Sequence, residues 1–99
     1  MLNIEKKTNG NALTVVLSGR LDTTTAPELE KQLKDSIGGV EMLVIDMQPL
    51  EYISSAGLRV LLSAQKVMNR QGSMTVTHVN ETIMEIFEVT GFSDILNIE

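Results

Sequence analysis

Met42-Leu43-Val44-Ile45 is an unbroken apolar run held between Glu41 and Asp46. Four residues are too few for a helix. Continuous rather than alternating hydrophobicity marks a strand buried on both faces, so the run predicts the midline of a parallel sheet with helices on either side. Upstream, Leu2 to Thr8 and Ala12 to Ser18 read as strands around Asn9-Gly10-Asn11. Asn-Gly between β-type runs is a strong hairpin signal because both residues tolerate positive φ, so these two strands pair antiparallel.

Between the hairpin and the central run, Thr25-Ala26-Pro27-Glu28 has capping-box spacing: a hydroxyl to accept from the third helical amide and a carboxylate to reach back. A first helix follows, with Ala26, Leu29, Leu33 and Ile37 on one stripe and Gly38-Gly39 to end it. After the central run, Leu58 to Gln71 reads as a second helix. Arg59, Ser63, Lys66 and Arg70 form its polar stripe, and the apolar arc of Leu58, Val60, Leu61, Leu62, Ala64, Val67 and Met68 is wider than one sheet contact needs. Most of that arc is read as core. Gly72 closes the helix, Met74 to Val79 reads as a strand, and Asn80 caps a third helix carrying Ile83, Ile86 and Phe87. A last short strand is expected at Ile95 to Ile98. The sum is an α/β fold of five strands and three helices, its sheet mixed but mostly parallel, with an N-terminal antiparallel hairpin.

The chain has 99 residues, enough for one hydrophobic core, so one domain spanning 1–99 is expected. Eight Lys and Arg against thirteen Asp and Glu give a formal charge of −5, the wrong sign to draw in a phosphate backbone, which argues against a nucleic-acid partner. With no Cys there is neither a disulfide framework nor a thiol nucleophile, and the single histidine, His78, cannot found a multi-histidine metal site. No cofactor is implied. The N-terminus lacks a basic region followed by an apolar run, and no stretch approaches the roughly 18 apolar residues of a membrane span. A cytoplasmic protein that does not insert in membranes is the expectation.

In open α/β sheets, functional groups collect beyond the carboxyl ends of the strands, which here means Asp22, the segment from Asp46 to Ala56, and Asn80. The most unusual segment is Tyr52-Ile53-Ser54-Ser55-Ala56-Gly57-Leu58, where two serines precede a glycine and a long apolar helix. Helix N-termini leave amides unpaired, so a phosphate on either serine would meet donors and the positive end of the helix. The plainer reading is that Ser54 or Ser55 is an N-cap and Gly57 lets the first turn pack closely. Neither glycine-rich nucleotide motif occurs. A serine hydrolase would need Ser55 beside His78 and Asp46 or Asp22, and Gly-x-Ser-x-Gly is missing because position 53 is Ile. The carboxylates Asp22 and Asp46, without a third ligand at readable spacing, are read as loop caps rather than a cation site.

Taken together, Gly19-Arg20-Leu21-Asp22, Leu43-Val44-Ile45-Asp46, Tyr52-Ile53-Ser54-Ser55-Ala56-Gly57-Leu58 and Thr90-Gly91-Phe92 with Phe87 resemble the STAS domain of bacterial anti-sigma factor antagonists. The resemblance runs in order over essentially the whole chain. It implies a STAS-like single domain that is a substrate rather than an enzyme. The unmodified antagonist binds an anti-sigma factor that is also a serine kinase, freeing a sigma factor for transcription. Phosphorylation ends that binding, and a metal-dependent serine phosphatase resets it. By motif position the acceptor corresponds to Ser55, with Ser54 as the second choice, and the partner face corresponds to Asp22, Thr23, Ser54, Ala56, Gly57, Leu58 and Arg59. Antagonists of this type often carry Asp-Ser-Ser/Thr-Gly, whereas this chain has Ser54 in the acidic position and Ala56 after the acceptor. The alternative function is a STAS-type accessory subunit of a transport or lipid-trafficking complex, in which the same face is a permanent contact and Ser55 merely caps.

Overall fold

The computed structural model describes residues 2–99. Its strands are β1 (Leu2–Asn9), β2 (Ala12–Leu21), β3 (Met42–Asp46), β4 (Leu50–Ile53) and β5 (Ser73–Thr77), and its helices are α1 (Ala26–Ser36), α2 (Ser55–Gln71) and α3 (Glu81–Thr90). The sheet order is β1-β2-β3-β5, with β4 on β2. β1 and β2 pair antiparallel through the Asn9-Gly10-Asn11 turn, and every other pairing is parallel, as the sequence pattern predicts.

Two strands differ from the sequence reading. Ile95 to Ile98 is not a strand: a 3-10 turn, Phe92–Asp94, is followed by one bridge between Ile98 and Val76. The fifth strand is instead β4, which meets the far end of β2 rather than lying beside β3. β2 pairs with β3 as far as Val16 and with β4 from Gly19 onward, so it changes its parallel partner between those residues. Within the new pairing the register shifts between Gly19 and Arg20, where Gly19 takes φ 92, a conformation that suits glycine.

The central run is also less symmetrically covered than its composition implies. Leu43 and Ile45 lie in register with Leu13 and Val15 of β2 and with Met74 and Val76 of β5, and all six are buried. The opposite face, with Thr14, Val16, Val44, Thr75 and Thr77, is only half-buried, and Met42 is 53% exposed. Helices therefore cover one face, and the core is built there, with Leu29 and Leu33 of α1, Leu61 and Met68 of α2, and Ile83 and Phe87 of α3 in the same cluster.

Most of the wide apolar arc of α2 is core, as expected: Leu58, Val60, Leu61, Ala64 and Met68 are buried, whereas Val67 is 40% exposed. At the C-terminal end of α2, Gly72 is needed for room rather than for its φ of 173. A β-carbon there would lie 1.9 Å from the carbonyl oxygen of Glu41, whose chain feeds β3. The ends of α1 and α2 are tied as well, since the Gln71 side chain donates to the carbonyls of Ile37 and Val40.

Candidate functional site

The parallel pairing of β2 and β4 aligns Leu21 with Ile53, so the chain leaves both strands at one point. The Ser54 amide donates to the Leu21 carbonyl at 2.8 Å, which fixes the Asp22–Thr25 turn against the Ser54–Gly57 segment. The residues that sequence reasoning grouped from two distant stretches are thereby neighbours.

On the β2 side the turn is densely bonded. Asp22 Oδ1 accepts from the Thr24 amide (3.0 Å), the Thr24 hydroxyl (2.7 Å), the Thr25 amide (3.1 Å) and the Thr25 hydroxyl (3.2 Å). The Thr24 hydroxyl first, with the Thr25 and Thr24 amides, holds the Asp22 carboxyl below the usual carboxylate range, against a smaller opposing effect of burial. Thr25 is the N-cap position of α1, but its side chain makes no cap bond, so the expected capping box does not form. The physical reason is competition. The Thr25 hydroxyl donates to the Arg20 carbonyl at 2.9 Å and accepts from the Asp22 amide at 2.8 Å, while the Asp22 carbonyl takes the Ala26 amide.

On the β4 side, α2 starts at Ser55, three residues earlier than its periodicity suggested, because Ser54 is extended (φ −99, ψ 175) and is itself the N-cap. Its hydroxyl accepts from the Gly57 amide at 3.4 Å and its carbonyl from the Leu58 amide at 3.0 Å. The cap and the candidate acceptor are therefore different serines. Ser55 is exposed at the first helical position, and its hydroxyl makes no hydrogen bond among the described residues.

Of the residues assigned to the partner face, Thr23 and Arg59 are exposed and Asp22, Ser54 and Ala56 half-buried, and an open cleft between the starts of α1 and α2 is lined by Thr23, Ala26, Pro27, Ala56, Arg59 and Val60. Gly57 and Leu58 face inward. A β-carbon on Gly57 would come within 2.6 Å of Leu21 Cγ and 2.9 Å of Ile53 Cγ1, so this glycine seats the helix start directly on the two strand ends. Its part in the site, like that of Leu58, is to position Ser55 and Ala56.

Sequence reasoning passed over two residues here. Arg20 stacks on the ring of Tyr52 at 4.4 Å from its centroid and lies 3.9 Å from Asp22 Oδ2, placing a cation at the rim. The signal was present in the Gly19-Arg20-Leu21-Asp22 motif, but the pairing of Arg20 with Tyr52 depends on β4, which the sequence reading lacked.

The remaining candidates lie elsewhere. Asp46 accepts from the Gln48 amide at 3.0 Å and contacts His78 Nδ1 at 3.0 Å, so it caps the turn after β3. His78 sits just past β5 with φ 57, and its side chain is 58% exposed. Asp46 is level with Val16 of β2, whereas Ser54 lies beyond the level of Leu21, a separation of about 16 Å of strand. The Ser55, His78 and Asp46 arrangement of a hydrolase is not assembled. Asn80 caps α3 by accepting from the Ile83 amide at 2.8 Å, and it donates to the Leu50 carbonyl of β4. Among the described residues no three His, Asp or Glu side chains are grouped to hold a metal, and no helix is long and apolar enough to cross a membrane.

A profile of the STAS domain family matches residues 3–99. The chain is 30% identical, over 98% of its own length and 90% of the relative's, to the anti-sigma-B factor antagonist of Bacillus subtilis (strain 168). Among solved structures it is similar to an anti-sigma factor antagonist from Mycobacterium paratuberculosis, with a TM-score of 0.90 and 21% identity, covering 99% of this chain and 85% of that one. It is also similar to the Bacillus cell fate determinant SpoIIAA in its phosphorylated form, with a TM-score of 0.77 and 15% identity, covering 98% and 91%.

Proposed function

The chain belongs to the STAS domain family, in its anti-sigma factor antagonist branch, and from that premise we propose that it works as a phosphorylation-controlled partner switch with Ser55 as the acceptor. In the unmodified state the face formed by Asp22, Thr23, Ser54, Ala56 and Arg59, held in place by Gly57 and Leu58, binds an anti-sigma factor that doubles as a serine kinase. The chain is then a kinase substrate and not an enzyme.

The observation that carries this reading is the division of labour between the two serines. Ser54 takes the cap, so Ser55 is left exposed with an unengaged hydroxyl that a kinase can reach without dismantling the helix start. Phosphorylation there adds about −1.5 to −2 charges to a helix N-terminus, which favours an anion, so the fold tolerates the group. The partner surface, matched to a neutral hydroxyl, does not. Asp22, kept ionised by its turn, adds a second negative charge beside the new one. A metal-dependent serine phosphatase returns the protein to its binding form.

The test is a pull-down from source-cell lysate with ATP, using wild type, Ser55→Ala and Ser55→Asp as baits. Wild type and Ser55→Ala should retain a serine-kinase-type regulator that Ser55→Asp loses, with phosphate on Ser55 of the recovered wild type and unchanged circular dichroism across the three. If all three baits retain the same partners, the face is a permanent contact and the phosphoswitch reading is wrong.

A further inference from the structure

On two of the three helices, α2 and α3, the charges are segregated by sign. α2 carries Arg59, Lys66 and Arg70 and no acidic residue, whereas α3 carries Glu81, Glu85 and Glu88 and no basic one. All six side chains belong to exposed residues, and among the described residues none of them has an ion-pair partner. Helix dipoles explain Arg70 and Glu81, which sit at the ends that favour them, but not the rest. Arg59 lies just past the first turn of α2 and Glu88 in the last turn of α3, each nearer the end its charge opposes. Like charges one turn apart, Glu81 with Glu85 and Lys66 with Arg70, also repel. Both stripes are flanked by apolar surface. Val89, beside the glutamate ridge, is 87% exposed, and shallow grooves on either side of Glu85 are lined by Ile86 and Val89 and by Val79 and Met84. Val67, beside Lys66, is 40% exposed.

From this complementarity we propose that the α3 ridge of one copy docks antiparallel on the α2 stripe of a second copy, a head-to-tail self-association. The spacing matches, since Lys66 to Arg70 and Glu81 to Glu85 are each four residues, about 6 Å of helix. In the antiparallel arrangement Arg70 meets Glu81 and Lys66 meets Glu85. Glu88 then falls opposite Ser63, on the way to Arg59. Because both helices are right-handed, this direction also brings Val67 and Val89 to the same flank of the contact, whereas a parallel arrangement would put them on opposite flanks. The two surfaces differ, so the contact is heterologous, and it either closes into a small ring or propagates. The contact is small and largely electrostatic, so it is weak, concentration-dependent and screened by salt.

Nothing in this inference depends on Ser55, and its test is independent of any kinase. Sedimentation equilibrium of the purified chain from 20 μM to 1 mM should give a mass that rises with concentration in about 20 mM salt and returns to that of the monomer in about 300 mM salt, beyond the screening range. Lys66→Glu and Glu85→Lys, both at exposed positions, should each weaken the association at least tenfold. An equimolar mixture of the two variants should recover it, because each supplies the surface the other needs. A wild-type chain that is monomeric at 1 mM in low salt overturns the proposal. So does association that ignores salt, and so does a mixture that associates no better than its two components. Circular dichroism of both variants confirms that the surface, and not the fold, was changed.

Discussion

The two helices that frame the site begin at the same corner of the sheet and are held there by opposite means. The start of α1 is fixed by polar bonds: one carboxylate oxygen of Asp22 gathers two amides and two hydroxyls, and Thr25 ties the turn back to β2. The start of α2 is fixed by contact: Gly57 lies against Leu21 and Ile53, and its one side-chain cap bond, at 3.4 Å, is long. The contrast shows how a small domain can present an exposed, unbonded hydroxyl on a rigid frame. Polar groups in the α1 turn are consumed by one another. At α2, packing supplies the rigidity, and one of two adjacent hydroxyls is left over. A site that must accept a bulky anion benefits from the second arrangement, because no bond has to be broken first.

The sharpest way to break this contrast is to deny α2 its contact. Gly57→Val puts a branched side chain where even a β-carbon would lie 2.6 Å from Leu21 Cγ, so the helix start must lift or the strand ends must shift. Overpacking of this kind, with the poorer helix propensity of a β-branched residue, should cost about 3 kcal/mol. The readout is the urea midpoint, with partner binding falling as Ser55 is displaced. A midpoint within error of wild type would mean that packing does not hold this corner.

A smaller effect separates the two serines. Ser54→Ala removes a real but long cap bond and should cost about 0.5–1 kcal/mol, towards the low end of cap substitutions, whereas Ser55→Ala should fall within about 0.5 kcal/mol of wild type. Equilibrium urea unfolding of the pair decides it. A Ser55→Ala cost equal to or above that of Ser54→Ala would assign the cap to the wrong serine here, and with it remove the structural reason for Ser55 being free.

The same corner shows what the sequence disclosed. Local signals were readable where one short segment contains its own cause: Asn9-Gly10 for the hairpin, the run Met42 to Ile45 for the central strand, Asn80 for the cap of α3. They failed where the cause lies elsewhere in the chain. Leu50–Ile53 is a strand only because β2 runs on beyond the end of β3 and takes it as a parallel partner from Gly19 onward, and nothing in those four residues announces it. Ile95 to Ile98 has strand composition, but only Ile98 finds a bridge partner. Thr25-Ala26-Pro27-Glu28 has the capping-box pattern, and Asp22, three residues earlier, changes what Thr25 bonds to. For the site, the residue types and their order were legible. Which of Ser54 and Ser55 does the capping was not, because it turns on whether Ser54 is extended, and that follows from its amide bond to Leu21.

The smallest expected effect concerns charge on the α1 side. Thr24 and Thr25 donate to the ionised form of Asp22, so its folded pKa lies below its unfolded value, which is about 3.9 for an aspartate. A group depressed in this way contributes stability that is fully present above the unfolded pKa and is lost as pH falls through the folded one. Wild type should therefore exceed Asp22→Asn in stability by a constant margin from neutral pH down to about pH 5, with the margin narrowing only below about pH 4. Thermal unfolding of both proteins from pH 7 to pH 2.5 measures it, and parallel curves over the whole range would show that the turn has no preference for the carboxylate. The functional consequence follows from the same sign. Wherever a cell operates, Asp22 is ionised without being neutralised by its turn, because hydroxyls and amides donate hydrogen bonds but bring no net charge. The one cation paired with it among the described residues, Arg20, stands 3.9 Å from Asp22 Oδ2 and is also stacked on Tyr52, so the carboxylate is offset only by a long, shared contact. In the proposed switch, a phosphate on Ser55 would add its charge to a face on which this carboxylate is already ionised, and a partner matched to the unmodified face would meet both.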